Sequence, residues 1–245
     1  MRKIWIIFIS IFILSSCTKD EHMVNTNANT YTPPIVPIPA NNDTTVRSYL
    51  ALGDSYTFGQ SVNAEDRFPV QTVKLLTAQG FKFTAPEIIA QTGWTTANLL
   101  NAIAVAAPLK NTYDIVTLLI GVNNQYQHKS KEEYAAEFLA LLKKAIFFAD
   151  NKIKRVIVLS IPDYGVTPFA SGSDKAAIAI DIDAFNDINK KISDSAGVNY
   201  LNITASSRLA ANDLALIASD GLHPSGIEYK VWTMGLVPII EKALQ

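Results

Sequence analysis

Tyr49-Leu50-Ala51-Leu52 is a short apolar run that stops at Gly53-Asp54-Ser55, so a strand-like segment ends in a turn that carries a serine. The run lacks polar alternation, which fits a strand covered on both faces. Four further runs read the same way: Glu87–Ala90, Ile115–Ile120, Val156–Ile161 and Val198–Ile203. Helical patterns lie between them. Ser130 with Glu133 makes a capping box ahead of Tyr134, Phe138, Leu141, Leu142 and Ile146, which share one helix face. Ile178, Ile182, Phe185, Ile188 and Ile192 mark a second face. Pro224 is expected at the first position of a last helix running through Val231, and Pro238 is expected to kink or end it. Strands alternating with helices predict an α/β fold, a parallel five-stranded sheet with helices on both faces and right-handed crossovers.

The first 45 of the 245 residues read differently. Arg2 and Lys3 precede an apolar stretch from Ile4 to Leu14, too short to span a bilayer but suited to the core of a signal peptide. It ends in Leu14-Ser15-Ser16-Cys17, which resembles a bacterial lipobox, so residues 1–16 are expected to be removed and Cys17 lipidated. Cys17 is the only cysteine, which excludes an internal disulfide. Thr18-Lys19-Asp20-Glu21 resembles a surface-export signal of Bacteroidetes lipoproteins. Residues 17–45, rich in Asn, Thr and Pro, bury too little apolar surface to fold alone and read as a tether. Residues 46–245 form one domain large enough for a core. A net charge of −1 without a basic run in that domain gives nucleic-acid binding no electrostatic support. No histidine, cysteine and carboxylate cluster has metal-ligand spacing, and no metal or other cofactor is expected.

A serine attacks an ester only when a base takes its proton. The chain has three histidines: His22 in the leader, His128 in a polar loop and His223 in Asp220-Gly221-Leu222-His223-Pro224. Only His223 has a carboxylate three residues before it and a proline after it. Ser55, Asp220 and His223 therefore make a candidate hydrolytic triad. In open α/β sheets, sites form beyond the carboxyl ends of the strands. Ser55 follows the first strand, Gly93 the second, Asn123 the third and Tyr164 the fourth, so four loops should meet at one edge. Each residue also has a plainer reading. Asp54 or Ser55 serves as a helix cap, Gly93 and Asn123 as turn residues, and His223 as a cap before Pro224. Gly-x-Ser-x-Gly is absent from the sequence.

Four blocks in order, GDSYTFG around Ser55, the lone Gly93, GVNN with Asn123 and DGLHP with Asp220 and His223, resemble the SGNH (GDSL-type) hydrolases across the whole domain. The resemblance implies a flavodoxin-like three-layer α/β/α sandwich. It implies Ser55 as nucleophile, His223 as base and Asp220 as its orienting carboxylate. It also implies an oxyanion hole made by the N–H groups of Ser55 and Gly93 and the side-chain amide of Asn123. Two positions depart from the family pattern. Tyr56 stands where leucine is frequent, and Asn124 stands where aspartate is frequent, which removes a carboxylate partner from that loop. The implied activity is a serine esterase acting on small or carbohydrate-linked acyl esters through an acyl-enzyme. Lysophospholipase or thioesterase action, and a non-catalytic glycan-binding lipoprotein of the same fold, are the alternatives. Trp94, Tyr126, Tyr164 and Phe169 are the aromatic residues expected in the site loops, as substrate platforms or as loop anchors. The expected location is the bacterial outer membrane, held by the lipid and facing outward if the export signal acts.

Cys17→Ser is expected to release the protein from the membrane fraction with its specific activity intact, because the tether separates catalysis from attachment. Fractionation of cells expressing each form, with an ester assay on every fraction, checks this. A serine variant that stays membrane-bound would mean that the leader is retained.

Overall fold

A computed structural model describes residues 44–106 and 108–245. The expected signal peptide, Cys17 and the tether up to residue 43 lie outside the described residues. Seven strands are present among the described residues. A two-residue parallel pair joins β1 (Val46–Arg47) to β3 (Lys82–Phe83). The main sheet consists of β2 (Tyr49–Gly53), β4 (Glu87–Ala90), β5 (Ile115–Leu119), β6 (Val156–Leu159) and β7 (Asn199–Leu201). Its order is β4-β2-β5-β6-β7 and every pairing is parallel, the flavodoxin-like doubly wound arrangement. Every residue of the three inner strands is buried, whereas β4 and β7 at the edges are mostly half-buried. Burial on two faces explains why the inner strands read as unbroken apolar runs.

All five expected main-sheet strands are present, and two stop early for a visible reason. After Leu159 and Leu201 the ladder ends because Ser160 Oγ accepts from Ile203 N (2.8 Å) and Thr204 N (3.1 Å). A side chain has replaced the next backbone acceptor. The β1–β3 pair was not expected, and two residues carry no period to recognise.

Helices cover both faces. On one, α2 (Phe68–Ala78) packs on α8 (Gly226–Leu244) through Phe68, Tyr229 and Trp232, with ring centroids 5.0–6.2 Å apart. On the other, α5 (Lys131–Phe148) lies between α3 (Thr96–Ala106) and α6 (Lys175–Ala196), and Tyr134 meets Phe138 and Phe185 at 5.6 and 4.7 Å. Ser130 caps α5 by accepting from Glu133 N (3.0 Å), but Glu133 turns its carboxylate to Lys129 (3.6 Å), so half of the expected capping box forms. In α6 the buried stripe is Ile182, Phe185, Asn189 and Ser193. The last two are polar and escaped an apolar count. Asn189 belongs there because it donates to the Tyr134 hydroxyl (3.1 Å) and accepts from the Tyr200 hydroxyl (2.7 Å).

The last helix departs from expectation at two prolines. Pro224 precedes the cap instead of opening the helix. Ser225 is the N-cap, its hydroxyl accepting from Ile227 N (3.2 Å) and Glu228 N (3.5 Å). Pro238 neither ends nor breaks α8, which continues to Leu244. The proline sits on the exposed side, and the carbonyl it leaves unpaired belongs to Met234, also on the solvent side. Leu236, Val237 and Ile240 carry the buried face past it. Pro238→Ala restores one helical hydrogen bond and is expected to stabilise the fold by about 1–3 kcal/mol, measured by denaturant unfolding.

Candidate active site

The parallel register aligns the ends of three strands, since Gly53 of β2 lies opposite Ala90 of β4 and Leu119 of β5. Each chain then turns out of the same edge. After β2, Asp54 caps the four-residue α1 (Ser55–Phe58) by accepting from Tyr56 N at 3.0 Å. The plainer reading thus applies to Asp54 alone. It leaves Ser55 at the first helical position, where an N–H has no helical acceptor. Among the described residues neither the Ser55 N–H nor its hydroxyl makes a hydrogen bond.

After β4 the turn carries Gly93 at φ 84°, a left-handed conformation that favours glycine. Its N–H also has no partner among the described residues. After β5, α4 (Val122–Tyr126) begins at Gly121, which passes so close to the Tyr134 ring that a β-carbon would lie 2.6 Å from it. Asn123 Nδ2 donates to Trp94 O (2.9 Å), which fixes the amide beside the Gly93 turn and leaves its second proton available. Asn124 is fully buried. It accepts from Thr96 N (3.0 Å) and donates to Thr96 Oγ1 (2.6 Å), while that hydroxyl meets the Glu137 carboxylate. The carboxylate expected to be missing from this loop comes instead from α5.

The fourth loop comes from near the carboxyl end of the chain. Asp220 Oδ1 accepts from the backbone N–H of Leu222 (2.9 Å) and His223 (3.0 Å). Asp220 Oδ2 accepts from Ser61 Oγ (2.7 Å) and lies 2.6 Å from His223 Nδ1. Burial acts to raise the Asp220 pKa, but these hydrogen bonds outweigh it and hold the carboxyl down to about 2. The imidazole also packs at a tilt against Tyr56, whose ring centroid is 5.2 Å away. The departure from leucine at this position therefore supplies an aromatic support for His223.

Ser55, Gly93, Asn123 and His223 line one cavity of about 120 Å³. Ser55 Oγ is not hydrogen-bonded to the imidazole, a contact that tightens in many enzymes only with substrate in place. Apart from Thr92, the remaining walls are mostly apolar: Tyr56, Val122, Leu222 and the mutually packed rings of Tyr126, Tyr164 and Phe169, with centroids 5.8–6.3 Å apart. Trp94 does not line the cavity. It packs on the core and contributes its carbonyl to Asn123. The aromatic loop is held from below by Asp163, which accepts from Gly165 N (2.8 Å) and pairs with Arg208 (2.9 Å). Phe169 N donates to Gly221 O (2.9 Å) and so fastens this loop to the one that carries His223.

The family model for GDSL-like lipases and acylhydrolases matches residues 51–231. The chain belongs to that family. As a GDSL-like acylhydrolase it is a serine ester hydrolase, and the non-catalytic alternative is set aside. Solved structures agree in fold. TesA superposes with a TM-score of 0.63 at 15% identity, over 81% of this chain and 100% of its own. The acetyl xylan esterase AlAXEase gives 0.61 at 17%, over 77% and 97%. Axe2, an acetylxylan esterase from Geobacillus stearothermophilus, gives 0.59 at 18%, over 79% and 94%. No curated protein matches the chain.

Several residues of this acylhydrolase site were not found from the sequence. Thr92, Val122 and Leu222 line the cavity, Tyr56 backs the imidazole, and Gln60 and Ser61 reach neighbouring loops. The four motif blocks contain or adjoin most of them, so adjacency to a motif was the available signal. Ser61 had none, because its left-handed backbone (φ 64°) is rare for serine.

The carboxyl beneath Ser55 is itself unusual. Asp54 is fully buried, its Oδ2 has no partner among the described residues, and burial pushes its pKa from 3.8 up to about 7. The folded state then holds this proton more tightly than the unfolded chain. Its stability contribution is fully present below about pH 4 and is lost as pH rises toward about 7. Asp54→Asn keeps the Oδ1 acceptor for Tyr56 and removes that titration. The difference in Tm, variant minus wild type, is expected to grow from about pH 5 to about pH 8, as thermal melts at each pH would read out. A pH-independent difference would mean that Asp54 does not titrate in this range.

Proposed function

We propose that the enzyme hydrolyses esters of short acyl groups, acetyl above all, carried on a carbohydrate, with Ser55 as nucleophile, His223 as general base and Asp220 as its orienting carboxylate. The observation that carries this reading is the small apolar cavity that Ser55, Gly93, Asn123 and His223 share. An apolar cavity of about 150 Å³ holds a benzene molecule, so about 120 Å³ gives a few acyl carbons close packing beside Ser55. In this scheme Ser55 Oγ attacks the acyl carbon as its proton passes to His223 Nε2. Asp220, ionised through the neutral range, stabilises the imidazolium through Nδ1. The carbonyl oxygen gains negative charge and meets three donors: the unpartnered N–H groups of Ser55 and Gly93 and the second proton of Asn123 Nδ2. The alkoxide of the leaving alcohol takes the proton from His223. Water then attacks the acyl-enzyme by the same route and returns Ser55 free with a carboxylic acid.

The exposed rings of Tyr126 and Phe169 at the cavity rim offer a sugar ring an apolar face. Two structural neighbours are named as esterases of acetylated xylan, which supports the carbohydrate class for the leaving group. The proposal includes attachment to the outer membrane through Cys17, where a surface enzyme would meet polymeric substrate.

Ser55→Ala is expected to lower turnover by about 10⁶ while the far-ultraviolet circular dichroism stays unchanged. Aryl esters from acetate to palmitate, acetylated xylan and lysophospholipid form the assay panel. Activity should peak at acetyl or butyryl esters and fall steeply with chain length. A preference for palmitoyl esters or lysophospholipid would overturn the short-acyl reading in favour of a lipid acylhydrolase, and undiminished activity in the alanine variant would refute Ser55 as nucleophile.

A further inference from the structure

Gly59, Gln60 and Ser61, which follow α1, do more than lead the chain toward the next helix. Gly59 N (2.9 Å) and Gln60 N (3.1 Å) both donate to the carbonyl of Ser55. Gln60 and Ser61 then direct their side chains to two other loops. Gln60 Oε1 accepts from Thr92 Oγ1 at 2.7 Å, one residue before Gly93. Ser61 Oγ donates to Asp220 Oδ2 at 2.7 Å, the same oxygen that faces His223 Nδ1. One dipeptide therefore touches the nucleophile residue through its backbone, the Gly93 turn through one side chain and the carboxylate beside His223 through the other.

Ser61 adopts φ 64°, a left-handed conformation that carries a steric cost for any residue with a β-carbon. Both side-chain bonds lie at the surface, where water competes for the same groups. Stability is thus a weak reason for a strained serine here. Alignment is a better one, because Ser55, Thr92 and Asp220 come from three distant parts of the chain and no strand pairing links the Asp220 loop to the others. Small displacements of reacting groups have large effects on rate.

We propose that Gln60 and Ser61 act as a clamp that sets the Gly93 turn and the Asp220–His223 pair in register with Ser55. The proposal rests on the roles assigned above to Ser55, Gly93, Asp220 and His223. Gln60 and Ser61 are positioning residues: neither lines the cavity. Their two arms should fail in different ways. Without the Ser61 hydroxyl, Asp220 Oδ2 carries more of its negative charge toward the imidazole, which favours the protonated ring. Without the Gln60 amide, the Gly93 turn loosens while the Asp220–His223 pair is untouched.

The test uses Ser61→Gly, which relieves the left-handed backbone while deleting the hydroxyl, and Gln60→Ala. Wild-type hydrolysis of a short aryl ester, with fluorophosphonate labelling of Ser55, comes first. Ser61→Gly is expected to melt at or above the wild-type temperature, to lose about tenfold in kcat with little change in KM, and to show its acid limb at higher pH. The downfield proton NMR signal of the His223 Nδ1–H should also move. Gln60→Ala is expected to lose about threefold to tenfold in kcat with the acid limb and the NMR signal unmoved. If Ser61→Gly matches wild type in kcat, acid limb and NMR signal while wild type is active and labelled, the clamp is wrong and the esterase reading stands. If wild type neither hydrolyses the ester nor labels at Ser55, the esterase reading fails first and takes the clamp with it.

Discussion

Gly53 lies in the sheet with Ala90 on one side and Leu119 on the other, and the rest of the site depends on that register. Parallel strands paired in this way stop along one line, so the turns after β2, β4 and β5 leave the sheet together. A slip of one residue in β2 would send every side chain of the strand to the opposite face and would move Ser55 away from Gly93 and Asn123. The apolar residues of the inner strands, buried on both faces, hold the register. Core packing and the geometry of the candidate site are therefore consequences of the same ladder.

Asp54 and Asp220 show how environment separates two identical side chains. Both stand within hydrogen-bonding range of backbone N–H groups, and both lie close to the reacting residues. Asp54 is fully buried with one carboxylate oxygen unpartnered among the described residues, so burial dominates and its carboxyl is raised to about 7. Asp220 is partly open to solvent and receives donors on both oxygens, so hydrogen bonding dominates and it falls to about 2. The first caps the helix that presents Ser55. The second stays charged beside the His223 imidazole. The pattern of two carboxylates driven apart by their surroundings is a general way of dividing structural and chemical work.

The cavity itself is assembled from loops that owe little to one another in sequence. Val122 and Tyr126 come from α4, Tyr164 and Phe169 from the loop after β6, and Leu222 from the Asp220 loop. Asp163 with Arg208, and Phe169 N with Gly221 O, fasten these loops together. The size of the cavity is thus set by loop-to-loop bonds, not by the sheet. Close relatives in fold can accordingly differ in substrate.

The sequence by itself determined the layered architecture and picked out the candidate site residues that the fold brings to one edge of the sheet. Two-sided burial leaves unbroken apolar runs, and catalytic chemistry needs particular atoms, so Tyr49–Leu52, Ser55, Gly93, Asn123 and His223 stand out in one dimension. The proline positions misled because a proline's effect depends on whether the carbonyl it orphans faces water, as at Met234, and on which neighbour caps the helix, as Ser225 does. The polar stripe of α6 was hidden because Asn189 is stabilised by Tyr134 and Tyr200, whose nearness appears only after packing. Glu137 answering for Asn124, Tyr56 against His223, and Ser61 on Asp220 were likewise decided by the tertiary structure alone. Each is a contact between residues far apart in the chain, and its energy depends on distance and desolvation, quantities that do not exist until the chain is folded.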